Sequence, residues 1–218
     1  MMSLIDVCCI LAVFLALTVL ATHRIVGMIK LFALQSFFLS LVPLFLHAEA
    51  LSGRDLMLSL VTMVLKAALV PAILFWTIRH ISMRSEIKPI LGFGASILCG
   101  AALIAVAFWI SLSLRLPGKL TSSLVLPCSL ATMLLGFMTM VTRTRAMTQV
   151  LGYMVIENGI FLFALSLFDA MPLLIEMGIL LDIFVAVFIM AIVLNHINEE
   201  FERTRGSAVS RPKWGESQ

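Results

Sequence analysis

The stretch LMLSLVTMVLKAALVPAILFWTI, Leu56 to Ile78, decides the fold of this chain. It is apolar almost throughout and carries one lysine, Lys66, at its centre. A hydrocarbon core of about 30 Å is crossed by roughly 20 helical residues, and this run meets that length. Its apolar residues do not alternate with polar ones as in a barrel strand, and the bilayer tolerates no unpaired backbone, so the run predicts a transmembrane helix. Working outward, the pattern recurs at Leu4 to Thr22, Ile25 to Leu46, Ile90 to Leu114, Ser123 to Met140, Met147 to Phe168 and Leu173 to Leu194. The expected fold class is therefore all-α: a polytopic membrane protein of about seven transmembrane helices.

Composition agrees. Hydrophobic residues make up 61% of the 218 and charged residues only 12%, with a mean hydropathy of +1.12, which is more apolar surface than a soluble domain buries. The first run lacks a basic region before it and is too long for a secretion signal's apolar stretch, so it is expected to stay in the mature protein. Basic loop residues set the orientation. One face collects Arg24, Lys30, Arg79, Arg84, Lys88, Arg143, Arg145, Arg203, Arg205, Arg211 and Lys213, and the other only Arg54, Arg115 and Lys119. The basic face is expected to be cytoplasmic, which puts the N-terminus outside and the C-terminus inside and requires an odd number of spans. The net charge of +3 is thus a topology signal with headgroup contact at the bilayer, and not a nucleic-acid footprint. Residues 198–218 read as a polar cytoplasmic tail.

The four cysteines, Cys8, Cys9, Cys99 and Cys128, lie within spans and have no metal-ligand spacing, and His23, His47, His80 and His196 fall at helix ends. The expectation is packing for the former, interfacial anchoring for the latter, and no cofactor or metal in this chain. Neither a phosphate-cradling glycine loop nor a nucleophile elbow is present, so the chain alone shows no catalytic apparatus.

Chemistry is concentrated in three mid-span ionisable residues. At 1.5 Å per residue, Lys66 lies roughly 16 Å from Asp55, Glu157 roughly 15 Å from Met147, and Asp182 roughly 15 Å from Pro172. Each costs about 2.5–3.5 kcal/mol at a helix centre, which apolar neighbours can carry but do not explain. Ser59, Thr62 and Lys66 share one helical face, and Pro71, one turn on, removes a donor and is expected to kink the helix and free the carbonyl of Ala67. Gly178 and Ala186 flank Asp182, which lets another helix or water approach. Tyr153 shares the face of Glu157, Asn158 is next to it, and Glu176 lies toward the outer edge: these are accessory candidates. Two readings stay open. The charges could be static ion-pair glue, worth about 4 kcal/mol for a pair at 4 Å and an effective dielectric of 20, or stations that exchange protons or ions.

The segments KAALVPAILFWTIR around Lys66, GYMVIENGIFLFALSL around Glu157 and LIEMGILLDIFVAVFIMAIVL around Asp182 resemble the hydrogenase-4 component E family, membrane subunits of formate-hydrogenlyase-type complexes. The last three spans resemble the complex I K subunit and the C subunit of multisubunit sodium/proton antiporters. The resemblance implies a four-helix part over 1–120, a K-like three-helix part over 121–197, and proton-relay roles for Glu157 and Asp182, with Lys66 resting on the component E likeness alone. An aspartate at 182 stands where the K-type subunit has a glutamate, and its shorter reach departs from that pattern. The implied function is a non-catalytic subunit of a complex I-like, proton-coupled oxidoreductase in a bacterial or archaeal inner membrane. Its implied partners are antiporter-like membrane subunits and a hydrogenase or other oxidoreductase module, which would hold the nickel–iron and iron–sulfur centres. A subunit of a cation/proton antiporter without redox chemistry, or a structural scaffold, are the alternatives.

Overall fold

In the computed structural model, which describes residues 4–46, 53–80, 92–114, 123–144, 146–166 and 184, the run that holds Lys66 is not one regular helix. The described elements are all helices, in the order α1 (Leu4–Ala21), α2 (Ile25–Leu46), α3 (Gly53–Thr62), a π-helical segment (Met63–Leu69), α4 (Val70–His80), α5 (Phe93–Ser113), α6 (Val125–Thr142) and α7 (Ala146–Ser166). Helix α3, the π segment and α4 follow one another without a break. Six helical stretches among the described residues are long and apolar enough to cross a membrane. They coincide with the first six predicted runs. The seventh, 173–194, lies outside the described residues apart from Phe184, which is helical and exposed.

Helix α1 is the hub of one side, packed against α2, α5 and α6, while α2 also packs against α3, the π segment, α4 and α7. The closest pair is the α6–α7 hairpin. A Cβ added to Gly136 would stand 2.6 Å from the backbone nitrogen of Ile156, and one added to Gly152 would stand 2.6 Å from that of Met140. Only glycine lets two helix backbones meet this closely, and in a lipid surround such contact is what drives association. The core made by these contacts includes Ala12, Ala16, Phe32, Leu135, Leu151 and Leu162, all buried.

Two contacts establish which helix ends lie together. Arg143, at the end of α6, bonds carbonyls at the end of α1, and the ring of His23 meets that of Phe93, at the start of α5, edge-on at 6.3 Å. The turns after α1 and α6 and the start of α5 therefore share one end, called here the Arg143 end. Ser59 of α3 donates to the carbonyl of Ser40 in α2 at 2.5 Å, which puts the start of α3 beside the close of α2 at the opposite, Gly53 end.

Candidate functional site

Lys66 sits in the middle of the π segment because a proline lies one turn beyond it. Pro71 has no N–H for the carbonyl of Ala67, and its ring crowds that carbonyl. The sequence predicts a simple kink there. The structure instead spreads the disturbance over a widened turn before the proline, in which the N–H of Val70 donates to the carbonyl of Leu65, five residues back. Such π turns are uncommon and recur at functional sites. The polar stripe is buried as its spacing predicts, with Ser59 5%, Thr62 2% and Lys66 3% exposed.

The Lys66 ammonium lies 5.5 Å from the centroid of the Phe161 ring, within reach of its negative π face. Phe161 is one turn beyond Glu157 on α7, so the ammonium addresses the same side of α7 that carries the carboxylate. Glu157 is itself buried, at 2% exposure, and Asn158 is fully buried. The Asn158 amide nitrogen donates to the Gln35 side-chain oxygen at 3.3 Å and to the Ser36 hydroxyl at 3.0 Å. Gln35 passes its own donor to the carbonyl of Ala12 at 3.0 Å. A chain of amides thus ties α7 to α2 and α2 to α1 at mid-span, roughly 18 Å from the start of α7 at 1.5 Å per residue.

Of the six residues singled out from the sequence, Lys66, Glu157 and Asn158 are all buried, with Lys66 over the ring of Phe161, one turn beyond Glu157, and Tyr153 is half-buried one turn before Glu157. Asp182 and Glu176 lie outside the described residues. Gln35 and Ser36 were not among the candidates, although adjacent polar residues in the middle of an apolar run were a signal, because buried amides need partners. Among the described residues no cluster of His, Cys, Asp or Glu could hold a metal ion.

Arg143 is the other departure. Counted among loop cations by its sequence, it is 2% exposed. Its Nη2 donates to the carbonyls of Leu20 at 2.6 Å and Thr22 at 2.8 Å, and the Gln149 amide closes on the Arg143 carbonyl at 2.9 Å. The last carbonyls of a helix have no partner inside it and carry its negative end, so a guanidinium is a natural cap for α1. Burial holds the Arg143 pKa below its ordinary value.

Fold and site define a multi-pass α-helical membrane protein that keeps a lysine, a carboxylate and an amide network at mid-span. Comparison with known proteins gives this class a particular relative: the chain is similar to hydrogenase-4 component E of Escherichia coli K12, 28% identical over 168 residues that cover 76% of this chain and 77% of that protein. The same figures hold for hydrogenase-4 component E of Shigella flexneri. The uncharacterized protein Rv0085 of Mycobacterium tuberculosis is 25% identical over 177 residues, 80% of each chain. No protein-family model and no solved structure matches. The likeness to hydrogenase-4 component E spans far more of the chain than the segments around Lys66, Glu157 and Asp182.

Proposed function

We propose that this chain is a membrane subunit of a hydrogenase-type, complex I-like oxidoreductase, and that it contributes buried ionisable groups to proton translocation without performing redox chemistry itself. The observation that carries the reading is the placement of Lys66 over the turn of α7 that follows Glu157, both side chains buried in a chain similar to hydrogenase-4 component E. Static ion-pair glue accounts for a lysine at that depth but needs no π turn, whereas a group that must change its protonation gains from the slack such a turn gives. In this reading Glu157 and Asp182 are relay carboxylates, and Lys66 tunes or joins the relay. Tyr153, Asn158 and Glu176 are its accessory groups. The K-like three-helix part, the outside-to-inside orientation, the inner-membrane location and the antiporter-like partner subunits belong to the same proposal.

The experiment separates transport from assembly. Glu157→Gln keeps size and hydrogen bonding but cannot titrate, so with Asp182→Asn it should leave the complex intact on native gels and reduce proton uptake in membrane vesicles. Lys66→Met should harm assembly more, because it strands a buried charge. Full pumping by an assembled Glu157→Gln, Asp182→Asn double variant would overturn the relay.

A further inference from the structure

Polar groups are distributed unevenly about Lys66. On its own helix the buried residues toward the Gly53 end are Ser59 and Thr62, whereas those toward the Arg143 end, Val70 and Leu74, are 2% and 1% exposed and wholly apolar. On helix α2 the buried hydroxyl residues Ser36 and Ser40 lie toward the Gly53 end, beside the buried Leu39 and Val42, whereas the buried residues toward the other end include only apolar ones, Phe32, Ile29 and Met28 among them. The two polar halves meet, since the Ser59 hydroxyl donates to the Ser40 carbonyl across the helix pair. Pro43 adds an acceptor to the same stretch, because it has no N–H to offer the carbonyl of Leu39 beside Ser40. The Ser40 hydroxyl turns back to the carbonyl of Phe37 at 2.7 Å, as those of Thr139 and Thr142 near the Arg143 end turn back to Leu135 and Met138, both at 2.8 Å, so the group of Ser40 that faces the seam is its carbonyl.

We infer that the Lys66 and Glu157 groups are reached by protons from the Gly53 end, along the seam between α2 and α3, and that the face between α2 and α4 toward the Arg143 end is its insulating counterpart. A file of hydroxyls and carbonyls supplies successive donors and acceptors for a proton or a transient water, and side chains such as Phe32 and Leu74 supply none. The lining residues are buried, so the path passes protons or water singly and holds no open pore. This deepens the relay reading, from which it takes its two stations, but it concerns access and not turnover.

The test reads access directly. Full-length chain in its native membranes, with Cys8, Cys9, Cys99 and Cys128 replaced by alanine, carries one cysteine at a time as Ser40→Cys, Ser59→Cys, Met28→Cys or Leu74→Cys. Silver ions are added from one side in chloride-free buffer, and modification is read as protection from later maleimide labelling in denaturant. Ser40→Cys and Ser59→Cys should react at least tenfold faster from the Gly53 end than from the Arg143 end, while Met28→Cys and Leu74→Cys stay protected from both. Equal rates from the two ends, faster reaction from the Arg143 end, or a Ser40→Cys no more reactive than Leu74→Cys would overturn the inference. Each variant is first shown to be assembled by native-gel yield; serine to cysteine changes little in shape, so two seam positions carry the result together. One-sided access in a protein whose Glu157→Gln variant pumps normally would uphold the path and remove the relay.

Discussion

Glycine draws α6 and α7 together, whereas proline pushes the α3–α4 helix off its regular course. In the hairpin, Gly136 and Gly152 let backbone lie on backbone, so Glu157 rides on a pair of helices with little freedom to shift. The helix opposite contains seven residues of π geometry and ends that segment just before Pro71. Its hydrogen bonds are already displaced from the α pattern, and Lys66 lies in their midst. The acid is thus held on the stiff element and the base on the yielding one. Under the proposed relay, this places one of its groups on a fixed element and the other on a movable one.

The largest break in this contrast comes from adding bulk at equivalent places. Gly152→Leu drives a side chain into the Met140 backbone, 2.6 Å from its nitrogen and 2.9 Å from its Cα at the first atom alone. It should cost at least the upper end of the roughly 1–3 kcal/mol typical of overpacking, seen as lost thermal stability in detergent and lost complex on native gels. Ala68→Leu, on the exposed side of the π segment, should stay within about 0.5 kcal/mol. If the two substitutions are equally harmful, the hairpin is not the stiffer element.

Asn158→Leu comes next. It leaves the Gln35 oxygen buried without its donor from α7, an expected loss of about 1–3 kcal/mol. Adding Gln35→Leu should recover part of it, and strict additivity of the two in a thermal-stability cycle would show that the amides do not act as a pair. A smaller loss of stability, about 1 kcal/mol or less, is expected of Pro71→Ala, which returns a donor to the helix. Its consequence is positional: cross-linking between Lys66→Cys and Phe161→Cys should slow several-fold as the turn contracts toward α geometry. An unchanged rate would mean that the proline does not set the π turn.

The first six helices were legible, since length and apolar composition leave a span no alternative. So was the burial of Ser59, Thr62 and Lys66, because helical periodicity fixes their common face. The widened turn was not: sequence announces that Pro71 withholds a hydrogen bond, but whether the helix bends or loosens is decided by neighbours far along the chain. Gln35 and Asn158 stand 123 residues apart, and no local pattern pairs them. The burial of Arg143 was missed for a related reason. A cation at a helix end suits a phospholipid headgroup, water or an unpaired carbonyl equally well until packing presents one of them, and here the end of α1 does.

That cap has a bearing on biosynthesis. The carbonyls of Leu20 and Thr22 leave the ribosome well before the guanidinium that covers them, which emerges more than a hundred residues later, across separations of 123 and 121. At roughly 5–20 residues per second, α1 waits on the order of ten seconds before its final partner is synthesised. During that interval these carbonyls lack their guanidinium and need another donor. Arg143 supplies it, so this end of α1 gains its cap only as the α6–α7 hairpin begins to form. A nascent chain halted before residue 143 would carry an α1 whose end is not yet capped by the rest of the fold.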